Sequence, residues 1–321
     1  MTTQSTGYTV DHHLDDSDPN IHNAWDNSLD PVLTVEPGEV VRFDCRDAVD
    51  GQLTHDSTVE DVANVSFDPV HPLTGPVAIE GVSAGDVLAV ELLEFEHQGW
   101  GFTTFLPGEM GLGLLPEDFS EAGLHLWELE DDVGHFVDGI EIPLDPFPGT
   151  IGVAPAAAGE HDTLPPRDVG GNMDVKHLTA GSTVYLPTAV DGGLFSIGDC
   201  HAAQGDGEVC VTGIEAPMTV TARFDVRSDM EIHQPQFETL GPFTPTGSDE
   251  PMYGTTGIDP DLMEATKKAI RHMIDHLHTE HGLSRGDAYM LCSAIVDLKI
   301  NEVVDAPNWT VSAYLPASIF P

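Results

Sequence analysis

The sequence predicts a mainly β protein with an α+β C-terminal part: a β-sandwich or barrel-like core of many short strands, followed by two C-terminal helices. Three observations predict it. Period-two patterning recurs up to about residue 235, most plainly in Met218–Val226, where Met218, Val220, Ala222, Phe224 and Val226 alternate with Thr219, Thr221, Arg223 and Asp225. Gly- and Pro-containing turns separate these short runs, as in sandwiches and barrels. After about Gly257 the period becomes that of an amphipathic helix.

Taken in order, the turn Pro37-Gly38 precedes a strand in which Val41, Phe43 and Cys45 alternate with Val40, Arg42 and Asp44. Gly85-Asp86 opens the run Val87–Phe95, apolar on both faces for most of its length and so a buried strand. Thr183–Leu186 is a short strand between Gly181 and Pro187, and the strand-like runs Leu194–Ile197 and Val209–Ile214 flank a glycine-rich turn. Asp259 is expected to cap a helix with Pro260 at its first position, Leu262, Thr266, Ala269, Ile270, Met273, Ile274 and Leu277 on one face, and Gly282 at its end. A second helix is expected at Ser284–Ile295, then strands at Leu298–Val304 and Trp309–Leu315. Residues 1–235 form the expected β-rich catalytic core and 236–321 an α+β region packed on it. Gln236–Gly257, rich in Pro, Gly and Thr, marks the boundary or a surface excursion.

The charge is extreme: 11 Lys+Arg against 55 Asp+Glu, a formal net charge of -44. Disorder does not explain it, because 40% of residues are hydrophobic and the acids are dispersed among Val/Ile/Leu-rich strands. A folded protein of a halophile does. In molar salt the Debye length shrinks to ~3 Å, so surface carboxylates barely repel one another while keeping the protein hydrated. The same charge argues against nucleic acid or an anionic membrane as partner. No run approaches a membrane span, and no basic segment followed by an apolar one opens the chain, so a soluble cytoplasmic protein is expected. Cys45, Cys200, Cys210 and Cys292 are widely spaced, without the pairing of a disulfide framework or structural zinc site.

Chemistry concentrates in Gly198-Asp199-Cys200-His201-Ala202-Ala203-Gln204-Gly205-Asp206-Gly207-Glu208. On an extended backbone Asp199 and His201 project to one side and can chelate one ion; Asp206 and Glu208 can add a ligand or a base, although Asp206 alone is ordinary turn chemistry. A second stretch, Pro165-Pro166-Arg167 through Gly170-Gly171-Asn172-Met173-Asp174-Val175-Lys176-His177, holds both basic residues found between Arg46 and Arg223. Arg167 and Lys176 could pair with site carboxylates or steady an oxyanion; equally they could be salt-bridge partners at a seam. The glycine pair leaves Asn172 and Asp174 free to face a pocket. Asp47 and His55 are plausible ligands or supporting groups. His272 and His276 have i, i+4 spacing but lack the glutamate of an HExxH motif, and are expected on a solvated face. Cys200 adjoins His201, yet consecutive strand residues point apart, so Cys200 is expected to be a buried small residue and not a nucleophile; no GxSxG elbow is present.

These stretches, with Asp47-Ala48-Val49-Asp50-Gly51-Gln52, Pro69-Val70-His71-Pro72-Leu73-Thr74-Gly75-Pro76-Val77 and Phe147-Pro148-Gly149-Thr150-Ile151-Gly152-Val153-Ala154-Pro155, resemble the acetamidase/formamidase family from about His22 onward. The chain departs from the family pattern at Cys200, where a small residue is usual, and at His71, where Asn is common. The resemblance implies a mainly β homo-oligomer (a dimer or larger) that hydrolyses small amides such as formamide or acetamide with a bound divalent metal, of zinc or calcium type. It also implies that Asp47, Asn172, Asp174, Asp199, His201 and Glu208 lie at or near the active centre. From the chemistry needed, Asp199 and His201 are assigned to the metal with Asp47 as third ligand and Asp174 beside them; Glu208 is the acid/base, and Asn172 or Lys176 serves the oxyanion. The rivals are a non-catalytic metal- or carbohydrate-binding β-sandwich and a hydrolase of larger amides or lactams.

Overall fold

A computed structural model describes residues 7–106, 111–112, 121–135, 141–204, 208, 211–240, 251–283 and 297–316. The early strands are β1 (His12–Leu14), β2 (Ile21–His22), β3 (Leu33–Val35), β4 (Val40–Cys45), β5 (Leu73–Ile79), β6 (Val87–His97) and β7 (Trp100–Phe105). They are followed by β8 (Gly123–Glu130), β9 (Val133–His135), β10 (Glu141–Pro143), β11 (Phe147–Val153), β12 (Gly170–Asn172), β13 (Thr183–Pro187) and β14 (Phe195–His201). The last are β15 (Met218–Val226), β16 (Gln236–Thr239), β17 (Met252–Asp259), β18 (Asp297–Glu302) and β19 (Trp309–Pro316). A single turn of helix, α1 (Val59–Val62), lies between β4 and β5, and the long helix α2 (Leu262–His281) between β17 and β18.

The strands form a nine-stranded sheet in the order β1-β4-β15-β6-β13-β16-β17-β19-β18, a six-stranded sheet β12-β11-β14-β5-β2 with β3 beside β5, and a four-stranded sheet β10-β9-β8-β7. The period-two strand β15 sits inside the largest sheet, between β4 and β6. Its Met218, Val220, Ala222 and Phe224 are fully buried and share one core with Phe195 and Ile197 of β14 and Phe147 and Ile151 of β11, so the two larger sheets close as a sandwich. Phe195 meets Phe224 edge-on at 5.0 Å and Phe43 at 5.8 Å, which locks the layers in register. Strand β6 is apolar on both faces for a clear reason: Leu88, Val90 and Leu92 enter the sandwich core, whereas Val87 and Ala89 join Ala265, Ala269, Met273 and Leu277 of α2 on the opposite face. β16 pairs with β13, so the nine-stranded sheet continues across residue 235 without interruption.

Several expectations need correction. Asp259 is the last residue of β17, paired with Trp309, and its backbone is therefore committed to the sheet. The helix cap is Asp261, whose Oδ1 accepts from the amides of Met263 (2.8 Å) and Glu264 (3.1 Å), a contribution of about 1 kcal/mol. Gly282 ends α2 in the left-handed conformation, as expected. Both ends of Gln236–Gly257 are strand, because β13 and β19 offer ladder partners that outweigh its Gly and Thr content. Residues 211–214 are not strand; the chain is held there by isolated bridges from Glu215 to Phe102 and to His201. His272 and His276 do not lie on a solvated face. His272 Nδ1 donates to the Thr256 carbonyl (2.8 Å), and His276 stacks on Tyr253 at 3.5 Å, where burial pushes its pKa down to about 4. Ser284–Ile295, Asp206, Cys210 and Cys292 lie outside the described residues. No helix among the described residues is long and apolar enough to cross a membrane.

Candidate active site

The site grows from the β12-β11-β14 edge of the six-stranded sheet. Antiparallel register sets Phe147 opposite His201, and Thr150 opposite Gly198 on one side and Asn172 on the other. This brings Thr150 Oγ1 within 3.1 Å of both Asp199 Oδ2 and Asn172 Oδ1, and the Asn172 Nδ2 donates to Asp305 Oδ2 at 2.7 Å. Phe147 stacks on the His201 ring (4.9 Å, 8°) and fixes its plane. His201 Nε2 then lies 2.9 Å from Glu215 Oε1, 3.2 Å from Glu208 Oε1 and 4.0 Å from Asp174 Oδ1. The Gly213 amide donates to the same two glutamate oxygens, at 3.0 and 2.9 Å.

Asp199 and His201 are thus brought together as their spacing suggests, and Asp174 and Glu208 join them. Gly170 and Gly171 adopt φ of +101° and +104°, the backbone freedom anticipated before Asn172. Asp47 does not reach this group: its two carboxylate oxygens accept the amides of Val49 (3.0 Å) and Gly51 (2.9 Å), so its charge is spent on its own turn. Lys176 does not line the cavity and is felt instead by Asp145. Arg167 donates to the Pro165 carbonyl (2.7 Å), and His55 packs on Trp100 at 4.6 Å. Cys200 is fully buried, facing away from the cluster toward Cys45. Sequence reasoning missed Glu215, Asp305 and Thr150, and it left His71 aside, whose Nε2 is 3.8 Å from Asp199 Oδ2.

Above the cluster opens a cavity of ≈190 Å³ with Asn172, Asp174, Asp199, His201, Glu208, Glu215 and Asp305 at one end and largely apolar walls. The backbone is strained where function would require it. His71, Asp174, Asp199 and Glu208 all have φ between +44° and +55°, a region that non-glycine residues seldom enter.

So many buried acids cannot all be ionised unaided. Burial and the neighbouring Glu208 raise the Asp174 carboxyl well above its ordinary range, and burial pushes Glu208 up to about 8. Burial raises Glu215 and Asp305 as well. Burial alone would lower the His201 pKa, but the carboxylates of Glu215 and Glu208 override it and raise it. The donor set fits a cation. Asp174–His201–Glu208 and Asp199–His201–Glu215 each offer ligand atoms within 4.8 Å of one another. Both Asp174 oxygens, His201 Nδ1 and Glu215 Oε2 are buried without a hydrogen-bond partner among the described residues. A positive ion would satisfy the orphaned oxygens and offset the charge at once.

A buried acid–base cluster with room above it for a small molecule is the candidate working centre of the molecule. Comparison with known proteins gives the class. The family model described as Acetamidase/Formamidase family matches residues 8–160 and 156–321. A formamidase of Methylophilus methylotrophus is 30% identical over 95% of this chain and 90% of its own, and an acetamidase of Mycolicibacterium smegmatis is 28% identical over 94% and 92%. The crystal structure of an acetamidase from Bacillus halodurans superposes with a TM-score of 0.87 at 31% identity, covering 96% of this chain and 98% of that one. The chain is an amidohydrolase. It belongs to the acetamidase/formamidase family.

Proposed function

We propose that this enzyme cleaves small linear carboxamides, formamide and acetamide among them, to the carboxylic acid and ammonia at the His201 cluster. The observation that carries the reading is the cavity lined by two buried carboxylate–imidazole groups that share His201. Asp174, Asp199, His201 and Glu215 would hold a divalent metal, with Glu215 taking the part that Asp47 has on sequence grounds. The imidazole favours zinc, since calcium takes oxygen ligands only. Bound there, the metal supplies Lewis acidity, making water more acidic and the amide carbonyl more electrophilic.

The chain's own groups do the rest. Glu208 lines the cavity with Oε1 3.2 Å from His201 Nε2, and from there its carboxyl group can take a proton from attacking water and return it to the departing nitrogen. Asn172 donates one amide hydrogen to Asp305 and keeps another with which to steady the developing oxyanion. The apolar walls keep bulk water from the reacting carbonyl. The balance of 55 acidic against 11 basic residues supports an enzyme working in concentrated salt.

The test is ammonia release from formamide and acetamide in molar KCl, before and after chelation, alongside elemental analysis of the wild type and His201→Ala. The variant should lose both bound metal and turnover. Undiminished turnover in it would remove His201 from the mechanism.

A further inference from the structure

Asn172 carries the one side-chain amide among the cavity-lining residues. The two ends of an amide are alike in shape, so a half-turn of the side chain exchanges a donor for an acceptor. The contact on its oxygen does not decide between the two orientations. Oδ1 lies 3.1 Å from Thr150 Oγ1, and a hydroxyl can donate or accept. Thr150 even favours the reverse. Its single hydrogen is also claimed by Asp199 Oδ2 at 3.1 Å, and on giving it to Asp199 the hydroxyl could accept from an Asn172 turned about. The contact on the nitrogen does decide. Nδ2 donates to Asp305 Oδ2 at 2.7 Å, whereas a turned amide would set oxygen against oxygen there.

Asp305 is itself held from both sides. Glu302, fully buried at the end of β18, accepts the amides of Val304 and Asp305 on a single oxygen. Beyond Asp305, Asn308 Nδ2 donates to the Pro166 carbonyl at 3.1 Å, in the segment that leads into β12. The loop that carries the carboxyl is therefore fixed against the strand that carries the amide.

We infer that Asp305 is a positioning residue: it selects the orientation of Asn172 in which an N–H, and not the carbonyl oxygen, is offered to the reacting carbonyl, with Glu302 and Asn308 holding it in place. The inference rests on the oxyanion role proposed above for Asn172. Nδ2 carries two hydrogens; Asp305 takes one and the other remains. Turned about, the amide would bring an oxygen lone pair to the place where negative charge develops.

The experiment measures kcat and KM for acetamide by ammonia release in molar KCl, with Tm and bound metal per chain on the same preparations. The proteins are full-length wild type, Asp305→Leu, Asp305→Asn, Asn172→Ala and the double variant Asn172→Ala/Asp305→Leu. Asp305→Leu should lower kcat about 100-fold with KM within about twofold of wild type, the pattern of an interaction made only in the transition state. Asp305→Asn, whose amide oxygen can still accept from Asn172, should recover most of that loss. Asn172→Ala should also fall about 100-fold, and adding Asp305→Leu to it should cost no more than about threefold further, because the group through which Asp305 acts is already gone. Losses that multiply to about 10,000-fold would overturn the inference, as would wild-type kcat in folded Asp305→Leu. A lower Tm with kcat per folded chain unchanged would make Asp305 purely structural, and loss of bound metal in Asp305→Leu would make it a ligand; either result also overturns it. Should Asp305→Leu not fold, Asp305→Ala gives the same comparison. If Asn172→Ala keeps wild-type kcat, the oxyanion role fails and the inference with it, while amide hydrolysis stands. If wild type itself releases no ammonia, it is the hydrolytic reading that fails.

Discussion

Gly149 is where the site is most exposed to a small perturbation. It lies on β11 beneath the cluster, and its backbone is outside the left-handed region, so alanine is conformationally acceptable there. The obstacle is space. A Cβ at Gly149 would stand 2.4 Å from His201 Cε1, 2.7 Å from Asp174 Oδ1 and 2.7 Å from the Asp199 carbonyl oxygen. Ordinary carbon contacts need about 3.5 Å, so the imidazole or the strand must move by roughly 1 Å. Overpacking of this kind costs about 1–3 kcal/mol of stability, and a displacement of ~1 Å at reacting groups costs on the order of 100-fold in rate. Gly149→Ala is therefore expected to lose about 100-fold in kcat/KM with a loss of only a few degrees in Tm, and to weaken the proposed metal site. Gly213→Ala approaches the same ring from its other edge, 2.6 Å from His201 Cδ2, and should behave alike. Steady-state ammonia release and calorimetry on the same preparations are the assay. Wild-type kcat/KM in folded Gly149→Ala would show that the position of His201 does not limit the reaction.

Two further outcomes are expected. Glu302 is fully buried and its carboxyl is raised from 4.5 to about 7 by burial, so between pH 4.5 and 7 the unfolded chain binds fewer protons than the folded one and stability falls as pH rises. Its penalty is absent below pH 4.5 and reaches roughly 3 kcal/mol above pH 7; the Tm advantage of Glu302→Gln over wild type should grow across that window, and a difference independent of pH would refute the assignment. With a net charge of -44, Tm should climb steeply as KCl rises from 0.1 to 2 M, and an unchanged Tm would mean that surface repulsion does not limit stability.

How much of this was legible in the sequence depended on locality. The alternation in β15 and the two-faced apolarity of β6 came through because each depends on neighbours along the chain and on a sheet that buries one or both faces. Asp199 and His201 were legible for the same reason, two positions apart on one strand. Asp47 misled because it is locally satisfied: an acid before Val49-Asp50-Gly51 folds back onto its own turn as readily as onto an ion. Glu215 carried no spacing signal toward His201. The usable hint was composition, a single acid inside Gly213-Ile214-Glu215-Ala216-Pro217, where the apolar neighbours leave a carboxylate no solvent of its own. Asp305 stands 133 residues from the Asn172 it binds, and only the pairing of β17, β19 and β18 brings it there.

That distance has a consequence for the protein's birth. A chain emerging from the ribosome can lay down β4, β5, β11 and β14 while the strands flanking Asp305 are still unmade, and up to that moment one wall of the catalytic chamber is missing. Prematurely ended products should therefore be chemically silent even where their sandwich has formed, and the first molecule of ammonia released by a nascent enzyme would announce that its last strands have docked.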